Sequence, residues 1–136
     1  MVTTRTVTQS AETDVQPDAM LAILMDPRNI PRWAPAFADA IEADGQNGWR
    51  VRKDGSAFSL QVVAAQSSRT VDYLREIVSG KQGGAYLRVL PRPGGGSVVV
   101  MTLPVPAGAN AGTVSAILSQ ELEALIDLGE SRTQER

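Results

Sequence analysis

The sequence predicts an α+β domain, an antiparallel sheet of six or seven strands with two short helices after the first strand and one long C-terminal helix. Three observations carry this. From Phe37 to Leu103 short β-type runs alternate with Gly, Asn, Asp and Pro turns at hairpin spacing. The longest helical pattern lies after them, at Thr113 to Leu128, and a shorter one lies before them, at Pro17 to Met25. The chain of 136 residues fits one domain with one core, and a chain of this size buries roughly two thirds of its unfolded surface without metal or disulfide staples.

Residues Thr3 to Thr13 are rich in Thr and Val without a strong apolar face, which suits an edge strand. Pro17 then stands where a first helical turn begins, and Met20, Leu21, Ile23 and Leu24 fall on one side of a 3.6-residue period. Pro27 disfavours helical geometry at Asp26, so the helix stops there and Asp26 can cap a second short turn. The stretch Ile30-Pro31-Arg32-Trp33-Ala34-Pro35 reads as an extended linker that delivers Trp33.

Strand signals follow at Phe37 to Asp44, Trp49 to Lys53 and Ala57 to Ala65, separated by Gly45-Gln46-Asn47-Gly48 and Asp54-Gly55. Ser67-Ser68 turns into Thr70 to Ile77, and Gly80 to Gly84 turns into Ala85 to Leu90. Pro91 to Gly96 closes the last hairpin before Ser97 to Leu103. The terminal helix follows Gly108, Asn110 and Gly112, would span roughly 24 Å, and meets Gly129 as its stop.

Composition excludes several kinds of chemistry. Cysteine and histidine are both absent. Thiolate nucleophiles, histidine bases, a Ser-His-Asp triad and most metal centres go with them, and neither a metal nor a cofactor is expected. The net charge of −2 gives no footprint for a phosphate backbone, so a nucleic-acid partner is not expected. No segment approaches 18 consecutive apolar residues and the first residues lack an apolar leader, so membrane insertion is not expected and the location is read as cytoplasmic. Gly94-Gly95-Gly96 precedes a strand, so it reads as a hairpin turn and not as a phosphate cradle, while Asp39, Glu42 and Asp44 lack the spacing of a calcium loop.

The order of elements and two local motifs resemble the START-like, Bet v 1-like (SRPBCC) superfamily and, within it, the polyketide cyclase/dehydrase-like lipid-binding branch. Pro17 to Pro27, with Ile-Pro-Arg-Trp-Ala-Pro after it, is similar to the family's first helix, Asp-Pro corner and Trp-x-Pro. Gly84 to Pro91, with Val98 to Thr102 after the glycine turn, is similar to the family's last hairpin. The resemblance covers about Thr6 to Leu128. It implies a helix-grip fold, a curved sheet around the terminal helix with a cavity between them, and it fixes no single activity.

Within that expectation, strand alternation nominates the wall. Phe58, Leu60 and Val62 share one face, Val71, Tyr73 and Arg75 the next, and Leu87, Val89, Val99, Met101 and Leu103 complete it, with Tyr86, Arg88 and Arg92 outside. Val98 and Val100 fall on the convex side, where a homodimer contact would use them, although a two-residue patch is ordinary for a monomer. Trp33 and Phe37 belong near the cavity mouth by the resemblance, while Trp33 and Trp49 are equally good core material.

Projected at 100° per residue, Ile117, Leu118, Glu121, Leu122 and Leu125 share the apolar arc of the terminal helix. Glu121 near its centre reads either as a ligand-orienting group or general acid, or as a structural carboxylate bonded to an Arg, Lys or Tyr across the cavity. The expected ligand site is therefore Trp33, Phe37, Phe58, Leu60, Tyr73, Arg75, Leu87, Met101, Ile117, Leu118 and Glu121. Three functions follow as expectations: binding of a small hydrophobic, lipid-like or aromatic molecule; a cyclase or dehydratase using Glu121, Tyr73 and Arg75; or a regulatory module that docks a protein.

Overall fold

A computed structural model describes residues 5–46, 48–78 and 81–134. Seven antiparallel strands form a curved sheet in the order β1-β7-β6-β5-β4-β3-β2. They are β1 (Thr6–Thr13), β2 (Ala40–Asp44), β3 (Gly48–Lys53), β4 (Ser56–Ala65), β5 (Thr70–Val78), β6 (Lys81–Pro91) and β7 (Ser97–Pro104). Helices α1 (Pro17–Met25) and α2 (Ile30–Trp33) follow β1, and α3 (Ala111–Gln134) closes the chain. The fold is therefore α+β and helix-grip-like.

The first strand stands at a sheet edge beside β7, with Thr6 opposite Pro104 and Thr13 opposite Ser97. Strand β4 divides its pairing. Its first half, Ser56 to Leu60, pairs with β3, and its second half, Gln61 to Ala65, pairs with β5. Residues Thr3, Asn47 and Gly80, which enter the sequence expectations above, lie outside the described residues.

Helix α1 buries the four residues its periodicity nominates, Met20, Leu21, Ile23 and Leu24. Asp26 caps the following 3-10 turn, Pro27–Asn29, by accepting from the Arg28 amide at 3.1 Å. The next segment departs from expectation. Ile30–Trp33 is one turn of helix and not an extended linker, and the Ala34 amide donates to the Ile30 carbonyl at 2.7 Å. Pro31 lies in the first turn, where a missing amide hydrogen does no harm, and Pro35 follows the end. Phe37 likewise precedes the strand expected to contain it, because the Ala34 carbonyl holds the Phe37 and Ala38 amides in a local turn and β2 begins at Ala40.

Two glycines explain two further departures. Lys81 to Gly84 form the start of β6 and not a turn. A Cβ on Gly84 would stand 2.0 Å from the Tyr73 carbonyl oxygen, so this glycine marks a close backbone approach inside the sheet. Gly129 does not stop α3, which continues to Gln134 and is about 36 Å long at the standard rise. A Cβ there would meet the Met20 sulfur at 2.7 Å, so Gly129 lets α3 press against α1. Asn110 caps the front of α3 through the Gly112 and Thr113 amides, at 2.7 and 3.2 Å.

The core joins α1, α2 and α3 to the inner face of the sheet through Met20, Leu24, Ile30, Val71, Leu87, Val99, Leu118 and Leu125, each almost wholly buried. Arg132 near the end of α3 donates to Asn29 Oδ1 at 2.7 Å, and Asn29 donates in turn to the Ile23 carbonyl, which ties the tail of the helix to the α1 corner. Arg92, expected outside, is half-buried: its guanidinium holds the Gly95 carbonyl and pairs with Asp14, joining the last hairpin to the end of β1. Tyr86 and Leu90 are exposed on the outer face, where Val98 and Val100 are half-buried. Among the described residues no helix is long and apolar enough to cross a membrane.

Candidate functional site

One end of the space between sheet and helices is left open. The cavity measures about 290 Å³ and is bounded by α2 and the segment after it, by β5, β6 and β7, and by the first half of α3. No residue of α1 lines it, and none of α3 beyond Glu121. The reason is packing. Helix α1 fills the other end of the hollow with Met20, Leu21, Ile23 and Leu24, while the one-turn α2 presents only Ile30 and Trp33 before the chain turns away.

Seven of the expected site residues meet at this cavity: Trp33, Phe37, Tyr73, Arg75, Met101, Ile117 and Glu121. Leu60, Leu87 and Leu118 do not, being 2 %, 0 % and 0 % exposed within the core cluster. Phe58 stands one layer back. The Arg75 guanidinium lies 3.9 Å above its ring, and the Phe37 ring meets it edge-on at 5.4 Å. Trp49 packs half-buried against the core.

The cavity exists because several of its walls are small. Ala34, Ala36, Gly84 and Ala85 line it, with Pro104 and Pro106 where the chain leaves β7. These positions escape a search for large apolar or polar groups, and only the glycine and proline pairs hint at them. Leu103 and Val114 also line it, as their strand and helix faces suggest.

Trp33 and Tyr73 pack with ring centroids 6.1 Å apart and planes tilted by 42°. The Trp33 ring nitrogen is buried without an acceptor among the described residues. The Tyr73 hydroxyl donates to the Leu24 carbonyl at 2.5 Å, which satisfies a carbonyl in the last turn of α1. Burial, and behind it the Asp26 charge, pushes the phenol above its ordinary range. Tyr73 therefore offers the cavity a ring face, with its hydroxyl committed elsewhere.

Among the described residues two charged side chains line the cavity, Arg75 and Glu121. Arg75 Nε is buried with no acceptor among the described residues. Glu121 is 9 % exposed, and burial pushes its carboxyl from an ordinary 4.5 up to about 7. No Arg, Lys or Tyr bonds it among the described residues, so the structural-carboxylate alternative has no partner there. Chemically the site can hold an apolar body, offer it a fixed cation and present a carboxyl that is largely protonated below neutrality. Among the described residues no cluster of three or more His, Cys, Asp or Glu could hold a metal ion.

Residues 4–130 match the family model described as polyketide cyclase / dehydrase and lipid transport. None of the curated proteins compared with the chain matches it. Among solved structures, a START superfamily protein from Mycobacterium smegmatis superposes with a TM-score of 0.66 at 15 % identity, covering 96 % of this chain and 97 % of that one. The Zhui aromatase/cyclase from Streptomyces sp. R1128 does so with a TM-score of 0.66 at 15 % identity, covering 96 % of each chain. The di-domain aromatase/cyclase StfQ of the steffimycin biosynthetic pathway gives 0.72 at 11 % identity, covering 96 % of this chain and 46 % of that one. At these identities the structural likeness shows the fold alone.

Proposed function

The chain belongs to the polyketide cyclase/dehydrase and lipid transport family of the START-like, Bet v 1-like superfamily, and from that premise we propose that it binds a small hydrophobic molecule between its sheet and α3. The observation that carries this reading is the 290 Å³ cavity walled almost entirely by apolar side chains. A volume at the lower end of the ~300–1,000 Å³ common for ligand pockets suits a lipid-like or aromatic molecule of a few rings, and not a long-chain lipid. Trp33, Phe37, Met101 and Ile117 form the apolar contact, with the Tyr73 ring beside them, and Arg75 and Glu121 set the orientation of the guest. An uncharged, environment-sensitive naphthalene probe is expected to bind with micromolar affinity. Ile117→Trp, which places a large ring in the cavity, is expected to weaken that binding at least tenfold. No binding of any member of a broad hydrophobic panel to the folded protein would overturn the reading.

A second reading, a cyclase or dehydratase acting on a polyketide-like substrate, is favoured by Glu121 alone. A carboxyl brought to about 7 at a cavity wall is matched to general acid work near neutral pH. Tyr73 does not add to this set, since its hydroxyl is engaged by Leu24. Turnover of such a substrate that falls at least a hundredfold in Glu121→Gln supports the enzyme; unchanged turnover removes the acid.

A further inference from the structure

Arg75 carries a demand that no described residue meets. Arg28 pairs with Asp26, Arg50 with Asp44, Arg52 with Glu42 and Arg92 with Asp14, whereas the half-buried Arg132 bonds the Asn29 amide oxygen. Among the described residues Arg75 has no such partner. The Phe58 ring covers one face of its guanidinium at 3.9 Å, and its Nε, like that of Arg69, is buried without an acceptor among the described residues. A cation at an apolar wall with an idle donor is costly unless something supplies oxygen.

The missing group has a definable shape. A guanidinium presents its donors in a flat fork that matches the two oxygens of a carboxylate, and the bidentate pair strengthens away from bulk water. Glu121, the other charged side chain on the cavity wall, forms no ion pair with Arg75, and its high pKa leaves it largely uncharged below neutrality, so it does not repel an incoming anion. The available space limits the apolar part. At the packing density of protein interiors, ~0.74, a 290 Å³ cavity holds roughly 215 Å³ of guest, at most the bulk of a three- or four-ring aromatic.

We infer that the guest is a compact apolar carboxylic acid, bound as its anion with the carboxylate on the Arg75 guanidinium and the hydrocarbon body among Trp33, Met101 and Ile117. The inference rests on the cavity-binding reading above and adds the chemical class of the ligand to it.

Calorimetric titration with 2-naphthoate and with 2-naphthalenemethanol, its neutral counterpart of the same shape, separates the two. The wild-type protein is expected to bind naphthoate at least tenfold more tightly than the alcohol. In Arg75→Gln the preference for naphthoate over the alcohol is expected to fall to within twofold. Equal binding of both by the wild type, or a naphthoate preference that survives Arg75→Gln, overturns the carboxylate assignment while the hydrophobic cavity stands. Absence of binding by both probes overturns the cavity reading and the assignment together. Should Arg75→Gln not fold, the wild-type ratio of the two probes decides alone.

Discussion

Glu121 couples the cavity to pH. Below about 4.5 its carboxyl is protonated in the folded and unfolded chain alike; between 4.5 and about 7 only the unfolded chain ionises it. The sign follows: this group makes the folded state less stable as pH rises through that window, by up to ~3 kcal/mol, and its effect levels off above the folded pKa. Subtracting the unfolding free energy of Glu121→Gln from that of the wild type at a series of pH values is expected to show this fall, with the variant gaining on the wild type at pH 8. A flat difference curve would mean that Glu121 is solvated. Tyr73 separates stability from binding at the same site. Tyr73→Phe leaves the Leu24 carbonyl without its donor and is expected to cost about 1–3 kcal/mol in denaturant unfolding, while affinity for the naphthalene probe stays within twofold because the ring remains.

At the scale of elements, the contact between α1 and α3 fixes how far the hollow stays open. Gly129 allows the helices to touch at Met20, a side chain with no exposure. Gly129→Leu is expected to destabilise the protein by about 1–3 kcal/mol through overpacking, measured by thermal or denaturant unfolding. This contact also shows what the sequence conceals. A glycine after an amphipathic run reads as a helix stop, and only the presence of α1 on the same spot reveals it as a packing residue. The same holds for Gly84, which reads as part of a turn and lies inside β6 against the Tyr73 carbonyl. Features governed by local pattern were legible: the four buried positions of α1, the Asp26 cap, the hairpin order of the sheet and the placement of Glu121 on the buried face of α3. The pattern places Trp33 in a linker because Pro31 and Pro35 flank it, yet Pro31 fits a first turn and Pro35 follows the helix end.

For the molecule as a whole, alternation along strands identifies which residues face inward but not how far along the hollow the helices fill it. Leu60, Leu87 and Leu118 share their faces with cavity residues and still lie in solid core. The open end is set by absences, the small side chains of Ala34, Ala36, Gly84 and Ala85, and missing volume leaves almost no trace in a hydrophobic pattern. The central claim is that an accessible apolar cavity persists between the sheet and the front half of α3. Crystals of the protein held under xenon pressure test it most directly, since xenon enters dry apolar cavities of this kind. Xenon bound among Trp33, Met101 and Ile117 is the expected result; an unoccupied site with those side chains in mutual contact would contradict it.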